Sequence, residues 1–490
     1  MGRISSLLGL SYFSLSTVRA QDTTTTAAPA CSSTISAVHG DPSVAPGWRA
    51  QVVASGLNKP RSIVVDPAGR LLVVELGYGI SRLNLDEGEG PCVRAAGEKE
   101  VVIEHPELYH GLELSPNGKT LYASTPSAVY AWDYDPVQGR NTSGPRELIN
   151  DFGEEGNHVT RTLLLSRQVE GMLIVSRGSV GNLDENAQDI ASGVSTIKAF
   201  NISIIKQSPY SYIKDGLLLG WGLRNSVGVA EDPVTGGIWS VENSVDDFER
   251  AGQSIHQNNP GEELNFHGYL NGTQTEEQGE NYGYPSCFAT WDVNEIPNAD
   301  RNLEVGQQIA IGNQTGDLND AWCQRDHIAP RLTFAAHTAP LDIKFENSVK
   351  ATAAFVTFHG SWNRDEPIGY KLSMIRFENG SPTEPSTSTD AAIDIVSNRD
   401  LLRCPDECFR PVGLAWGAGE RLFMSSDSTG EIFVITRDEG SAGDDGNGGD
   451  VGGSATAPTE APSPTGAAVR RGVAVGGLAV MMVLPLVAEV

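Results

Sequence analysis

The stretch from Arg224 to Glu242 reads RNSVGVAEDPVTGGIWSVE. Two short apolar runs, SVGVA and GIWSV, flank a turn-forming DPVTGG, which predicts two antiparallel strands joined by a tight connection. The first run opens with Arg224 and Asn225, two groups that are costly to bury without partners. Their position asks for a reason.

The same pattern recurs along the chain. It appears as RSIVVDPAGRLLVVE from Arg61, HGLELSPNGKTLYAS from His110 and HVTRTLLLSRQVEGMLIVS from His158. After the Arg224 unit come HTAPLDIKFENSVKATAAFVTF from His337 and RPVGLAWGAGERLFMSS from Arg410. The first three starts lie about fifty residues apart and the later gaps are longer, which implies insertions. That period suits four-stranded blades around an axis, so six units predict an all-β, six-bladed β-propeller. A two-sheet sandwich is the rival, and the regular repeat disfavours it.

In a propeller the innermost strand of each blade lines the central channel, and its first residues gather at one mouth. Here those positions hold Arg61, His110, His158 with Arg161, Arg224 with Asn225, His337 and Arg410. Such a cationic ring favours a planar, polyanionic ligand, because guanidinium groups pair with carboxylates through two parallel bonds. An imidazole among guanidiniums is held neutral and can act as a general base. By itself the ring would serve a lactonase, a dehydrogenase or a lectin.

The 490 residues carry a formal net charge of −27, which leaves no basic surplus for nucleic acid. Residues 1–20 read as a secretory signal ending at Ala20, followed by an N-terminal extension over 21–47. The propeller is expected over 48–439. A Gly/Ser/Pro-rich linker spans 440–466, and 467–490 form an apolar tail. The tail resembles a signal for a GPI lipid anchor at the cell surface, with a short transmembrane helix as the alternative and Glu489 counting against the anchor. Secretion agrees with an even cysteine count, for which pairing of sequence neighbours is expected: Cys31 with Cys92, Cys287 with Cys323, Cys404 with Cys408. Glycosylation sequons at Asn141, Asn201, Asn271 and Asn313 point the same way.

Several motifs together carry a family resemblance: GLNKPRSIVVDPAGRLLVVE, NHVTRTLLLS, WGLRNSVGVAEDP, GEELNF followed by ENYGYP, HTAPL and HGSWNRDEPIGYK. They resemble the sorbosone/glucose dehydrogenase superfamily of propellers that use pyrroloquinoline quinone (PQQ), with the nearest likeness to fungal auxiliary-activity pyranose dehydrogenases. The likeness runs from about Trp48 to Arg437.

That resemblance implies a mechanism. PQQ lies across the channel mouth on a calcium ion, and a neutral histidine takes the proton of a sugar's anomeric hydroxyl while the anomeric hydrogen leaves as hydride. His158 would be that base, and Arg224 would stabilise the reduced quinone oxygen. Calcium would rest on the backbone carbonyls of Ser244 and Val245, with Asp246 and Asp247 read as solvated. By the same likeness, further cofactor contacts fall on Arg70, His359, Trp362, Arg364, Lys371 and Arg410. Two departures, Arg70 for a glutamine and Cys408 for an arginine, put the bacterial substrate preference in doubt. Neither a cytochrome domain nor a cellulose-binding module is expected, so electrons would pass to a separate cytochrome, quinone or secreted redox enzyme. Two alternatives stand beside this reading: a calcium-dependent lactonase or esterase, and a non-catalytic, anchored glycan-binding propeller.

Overall fold

The computed structural model describes residue 31 and residues 34–88, 91–205, 208–314 and 316–438. The expected signal segment, linker and tail lie outside them. Each of the six quoted units forms the two innermost strands of one antiparallel sheet, and six such sheets stand around an axis as a six-bladed propeller. The innermost strands are Pro60–Val65, Leu112–Leu114, Leu163–Leu165, Ser226–Glu231, Pro340–Phe345 and Pro411–Trp416, in blades one to six. All begin at the same mouth of the channel.

Blade six is closed by a strand from the other end of the chain. Trp48–Ala54 pairs antiparallel with Glu431–Arg437, so the ring is shut by backbone hydrogen bonds and leaves no open seam. The preceding extension is stitched down as well. Ser43–Val44 pairs with Ile393–Ser397 in blade five, and the Cys31–Cys92 disulfide ties it to blade one. All three neighbour pairings of cysteine are formed.

The core is a ring of inter-blade layers. Trp239, Phe266 and Leu332 of blade four pack on Ile343, Phe358 and Phe377 of blade five, and comparable clusters fill the other interfaces. Because both faces of the inner strands are covered, those strands are apolar almost throughout rather than alternating. The long gap within blade four holds an insertion. It contains a small sheet (Cys287–Ala289 with Gln308–Ala310) and the α-helix Asp320–Asp326, fixed by Cys287–Cys323 and by Arg250 on Asp320 at 2.7 Å.

Around the axis the blades are joined by short polar links. Ser124 Oγ donates to Arg161 O at 2.6 Å, Thr357 Oγ1 to Val412 O at 2.7 Å, and Ser425 Oγ to Arg61 O at 2.7 Å. In each case the end of one blade's second strand holds the start of the next blade's first. Register shifts recur at the starts of the inner strands of blades one, four, five and six, re-aiming the side chains there. The approach is close enough to require glycine: a Cβ on Gly413 would lie 2.7 Å from Arg61 O and 2.9 Å from Ser62 Cα. Gly413→Ala is therefore expected to cost about 1–3 kcal/mol through overpacking. Urea unfolding checks this, and a wild-type midpoint would contradict it.

Candidate active site

A cavity of about 420 Å³ opens at the mouth where the inner strands begin. His158, Arg224, Ser244, His337 and Trp362, all singled out from the sequence, line it together with Asn182, Asn243, Asp246, Asp247, Glu262 and Asn363.

His158 is buried, with Nδ1 2.9 Å from Ser179 Oγ and 3.1 Å from Ser179 O. Ser179 Oγ gives its own proton to Gly181 O at 2.7 Å, so both serine oxygens act as acceptors toward the ring. Nδ1 must then carry the proton, and Nε2 keeps a lone pair for the cavity. Burial, then the charges of Arg224 and Arg161, hold this imidazole well below the usual histidine range. It stays a neutral base.

Arg224 stands where blade four begins because its groups are satisfied there. Nε donates to Asn182 O at 3.2 Å, Nη1 to Asn243 O at 3.2 Å, and Nη2 to Asn182 Oδ1 at 2.9 Å and Asp246 Oδ2 at 2.7 Å. Of five N–H donors, one on Nη1 is left for a ligand. Tyr284, from the ENYGYP segment, supports this arrangement by donating to Asn182 O at 3.0 Å. Asn225 is buried behind the wall, and among the described residues neither end of its amide side chain has a hydrogen-bond partner.

The loop after blade four's second strand forms one wall. Glu262 Oε2 accepts from Ser244 N–H at 2.6 Å, Asn182 Oδ1 accepts from Asp246 N–H at 2.9 Å, and Asn363 Nδ2 donates to Asp246 O at 3.3 Å. Among the described residues no donor reaches the carbonyls of Ser244 or Val245, while the Val245 side chain packs into the insertion's core. On the opposite side His337 and Ala339 both adopt left-handed φ values, +64° and +55°. Such strain in non-glycine residues gathers at functional sites.

The remaining predicted contacts do not reach the cavity, and each has a physical reason. Arg61 is buried on Asp427 at 2.8 Å, and the same carboxylate takes His359 Nε2 at 2.8 Å. Asp427, held far below the ordinary carboxylate range despite its burial by His359, Arg61 and Arg410, balances one of the two guanidinium charges on that side of the ring. Arg410 instead donates to His359 O at 3.1 Å and Gly360 O at 2.7 Å. Arg161 donates to His158 O and Thr160 O, both at 2.8 Å, and so orients the base from behind. His110 lines the cavity at the opposite end of the axis. Arg70 sits in the hairpin turn at that far end, paired with Asp66 at 2.8 Å. Arg364 is spent on carbonyls of Gln257 and Glu366. Lys371 pairs with Asp394 at 2.7 Å on the outer half of blade five.

Asn182, Asn243, Glu262, Asn363 and Asp427 escape the sequence reading. All but Glu262 follow the second strand of a blade, and an antiparallel second strand must end at the mouth where the first begins. The repeat itself carries that signal.

Fold and site together define a six-bladed propeller with a buried, neutral histidine and an asparagine- and carboxylate-rich loop at its axial mouth. Residues 42–438 match the TrAA12-like family model, and the chain belongs to that family. It is 44% identical over 441 residues to a PQQ-dependent sugar dehydrogenase of Hypocrea jecorina, covering 89% of this chain and 97% of the relative. It is 36% identical over 413 residues to a PQQ-dependent pyranose dehydrogenase of Coprinopsis cinerea, covering 81% of this chain but only 55% of that protein. A calcium structure of the Trichoderma reesei family AA12 enzyme superposes with a TM-score of 0.80 at 45% identity, over 84% of this chain and all of that one. The holo PQQ domain of the Coprinopsis pyranose dehydrogenase superposes with a TM-score of 0.76 at 34% identity, over 83% of this chain and 99% of that one.

Burial pushes the Glu262 carboxyl up to about 7 from an ordinary value of 4.5. Between those values the folded protein keeps a proton that the unfolded chain releases, so this group's contribution to stability falls as pH rises through that window. Glu262→Gln removes it. Urea unfolding of the metal-free proteins from pH 4.5 to 7 should show the variant gaining on wild type as pH rises; a gap independent of pH would contradict the assignment.

Proposed function

We propose that this protein oxidises reducing sugars (pyranoses, aldoses or sorbosone-like sugars) at the anomeric carbon, using PQQ and calcium, and passes the electrons to a separate cytochrome, quinone or secreted redox enzyme. The observation that carries this reading is that His158, with a lone pair on Nε2, and Arg224, with one N–H still open, line the same cavity at the axial mouth of a TrAA12-family propeller.

The residues present fit both groups. Among the described residues the Arg410 guanidinium donates only to carbonyls and lies over the Tyr370 ring, with no carboxylate in hydrogen-bond contact, which leaves positive charge near the mouth for an anionic cofactor. Trp362, 47% exposed at the rim, offers an aromatic face. Ser244, Asp246 and Asp247 line the cavity, and the carbonyls of Ser244 and of Val245 between them would be the oxygen donors that calcium takes at loose geometry. PQQ, when bound, supplies the oxidant that receives the anomeric hydrogen.

The chain's own groups do the rest. His158 Nε2 takes the proton of the anomeric hydroxyl, and Ser179 holds the tautomer that makes this possible. Arg161 fixes the backbone carrying that imidazole. Arg224 offers its remaining N–H to the oxygen on which negative charge develops, a preorganised contact worth roughly 3–4 kcal/mol in other enzymes. The product is the lactone. Three disulfides and sequon asparagines that are exposed or half-exposed support an extracellular setting, with the 467–490 tail as a GPI signal.

His158→Ala tests the assignment. PQQ and calcium binding, followed in the cofactor's visible spectrum, should persist, while sugar-driven bleaching slows by about 10²–10⁴. Unchanged bleaching would remove His158 as the base. Because its pKa is depressed, the acid limb of kcat/KM in the wild type should lie below pH 6.5. A folded wild type that binds no PQQ would leave the lactonase or glycan-binding reading as the better account.

A further inference from the structure

We propose that Glu262 is a positioning residue: its buried carboxylate ties the metal-holding loop to the strained turn carrying His337, and so sets the affinity for the divalent cation rather than the stability of the fold. This rests on the reading that the Ser244 and Val245 carbonyls hold calcium.

Glu262 opens the third strand of blade four, Glu262–Tyr269, and is 3% exposed at the floor of the cavity. Its two oxygens serve two different chain segments. Oε2 accepts from Ser244 N–H at 2.6 Å, and Oε1 accepts from Ala339 N–H at 3.4 Å. A carboxyl group can do this because both of its oxygens carry acceptor lone pairs; an amide keeps only one acceptor oxygen.

Those segments need an internal brace. The Ser244 loop has its peptides pinned at three points: Asn243 N–H on Asn225 O at 3.0 Å, Ser244 N–H on Glu262, and Asp246 N–H on Asn182 Oδ1 at 2.9 Å. Among the described residues the pins leave the Ser244 and Val245 carbonyls without protein donors, which is the state a hard cation requires. Glu262 is the middle pin and the one ionisable group among the three. Across the cavity, the left-handed His337 and Ala339 are an unfavourable backbone choice that surrounding bonds must enforce. Glu262 supplies one of those bonds too. Groups that orient a metal's direct ligands typically change its affinity by about 10–100-fold when removed.

The test compares wild type, Glu262→Gln and Glu262→Asp by titrating calcium alone into the metal-free protein, with each protein's metal-free thermal midpoint recorded beside it. Compared at one fixed pH of 7, Glu262→Gln should keep a metal-free midpoint close to that of wild type while its calcium Kd weakens by about 10–100-fold. Glu262→Asp, which retains two acceptors on a shorter arm, should fall between, and it carries the test if the glutamine variant does not fold. Wild-type calcium affinity in the folded variants would overturn the assignment of Glu262 alone. A midpoint that drops in step with affinity would overturn it as well, because that is the signature of a merely structural group. A wild type that binds no calcium would overturn the underlying reading and this inference together.

Discussion

Everything in this protein depends on six strand ends being forced into one small volume around an axis. Each inner strand begins there, and each antiparallel second strand ends there, so two chain segments per blade must be accommodated at the mouth. Gly413 shows how little room is left, since its missing side chain is replaced by the backbone of Arg61 and Ser62. The hydroxyl links from Ser124, Thr357 and Ser425 show how the crowding is used: each blade hydrogen-bonds the start of the next. The functional mouth is therefore a by-product of closing the ring, and its side chains inherit rigid backbones.

That crowding has an electrostatic consequence. Cations brought so close together and so deep must each find a counter-charge or a set of carbonyls. The two halves of the ring solve this differently. On the side of blades one, five and six, Asp427 takes one nitrogen each of Arg61 and His359, and neither side chain lines the cavity at the mouth. On the side of blades three and four, Asp246 and the Asn182 and Asn243 oxygens take most of Arg224 and leave one N–H over. Chemistry is concentrated on this second side, where His158 is kept neutral by burial and by the guanidiniums that never touch its reactive nitrogen.

Much of this is legible in the chain alone. The paired strands around RNSVGVAEDPVTGGIWSVE and its five counterparts appear at the positions expected, because alternating or continuous apolar runs around Asp/Pro/Gly turns are a local signal. Arg161, a ligand contact by its place in the repeat, instead holds His158 O. Arg70, expected at the mouth, is carried by its hairpin to the other end of the blade and onto Asp66. Arg70 fails by its level along the blade, because the likeness that placed it at the mouth carried no strand register. Arg161 and Lys371 fail by direction: a sequence gives the level of a residue along a strand more readily than the direction of its side chain, and Lys371 points to Asp394 on the outer half of its blade.

The sequence by itself determined the number of blades and brought His158 and Arg224 to the level of the axial mouth, because these are written in local pattern and motif; which of the possible cysteine pairings forms was settled by the fold. Only the tertiary structure decided which members of the cationic ring are free to act. Whether Arg61 is a ligand contact or half of a buried ion pair depends on Asp427, which is 366 residues away in the chain yet 2.8 Å away across the closure of blade six on blade one. No window of sequence contains that distance; it exists only once the ring is shut.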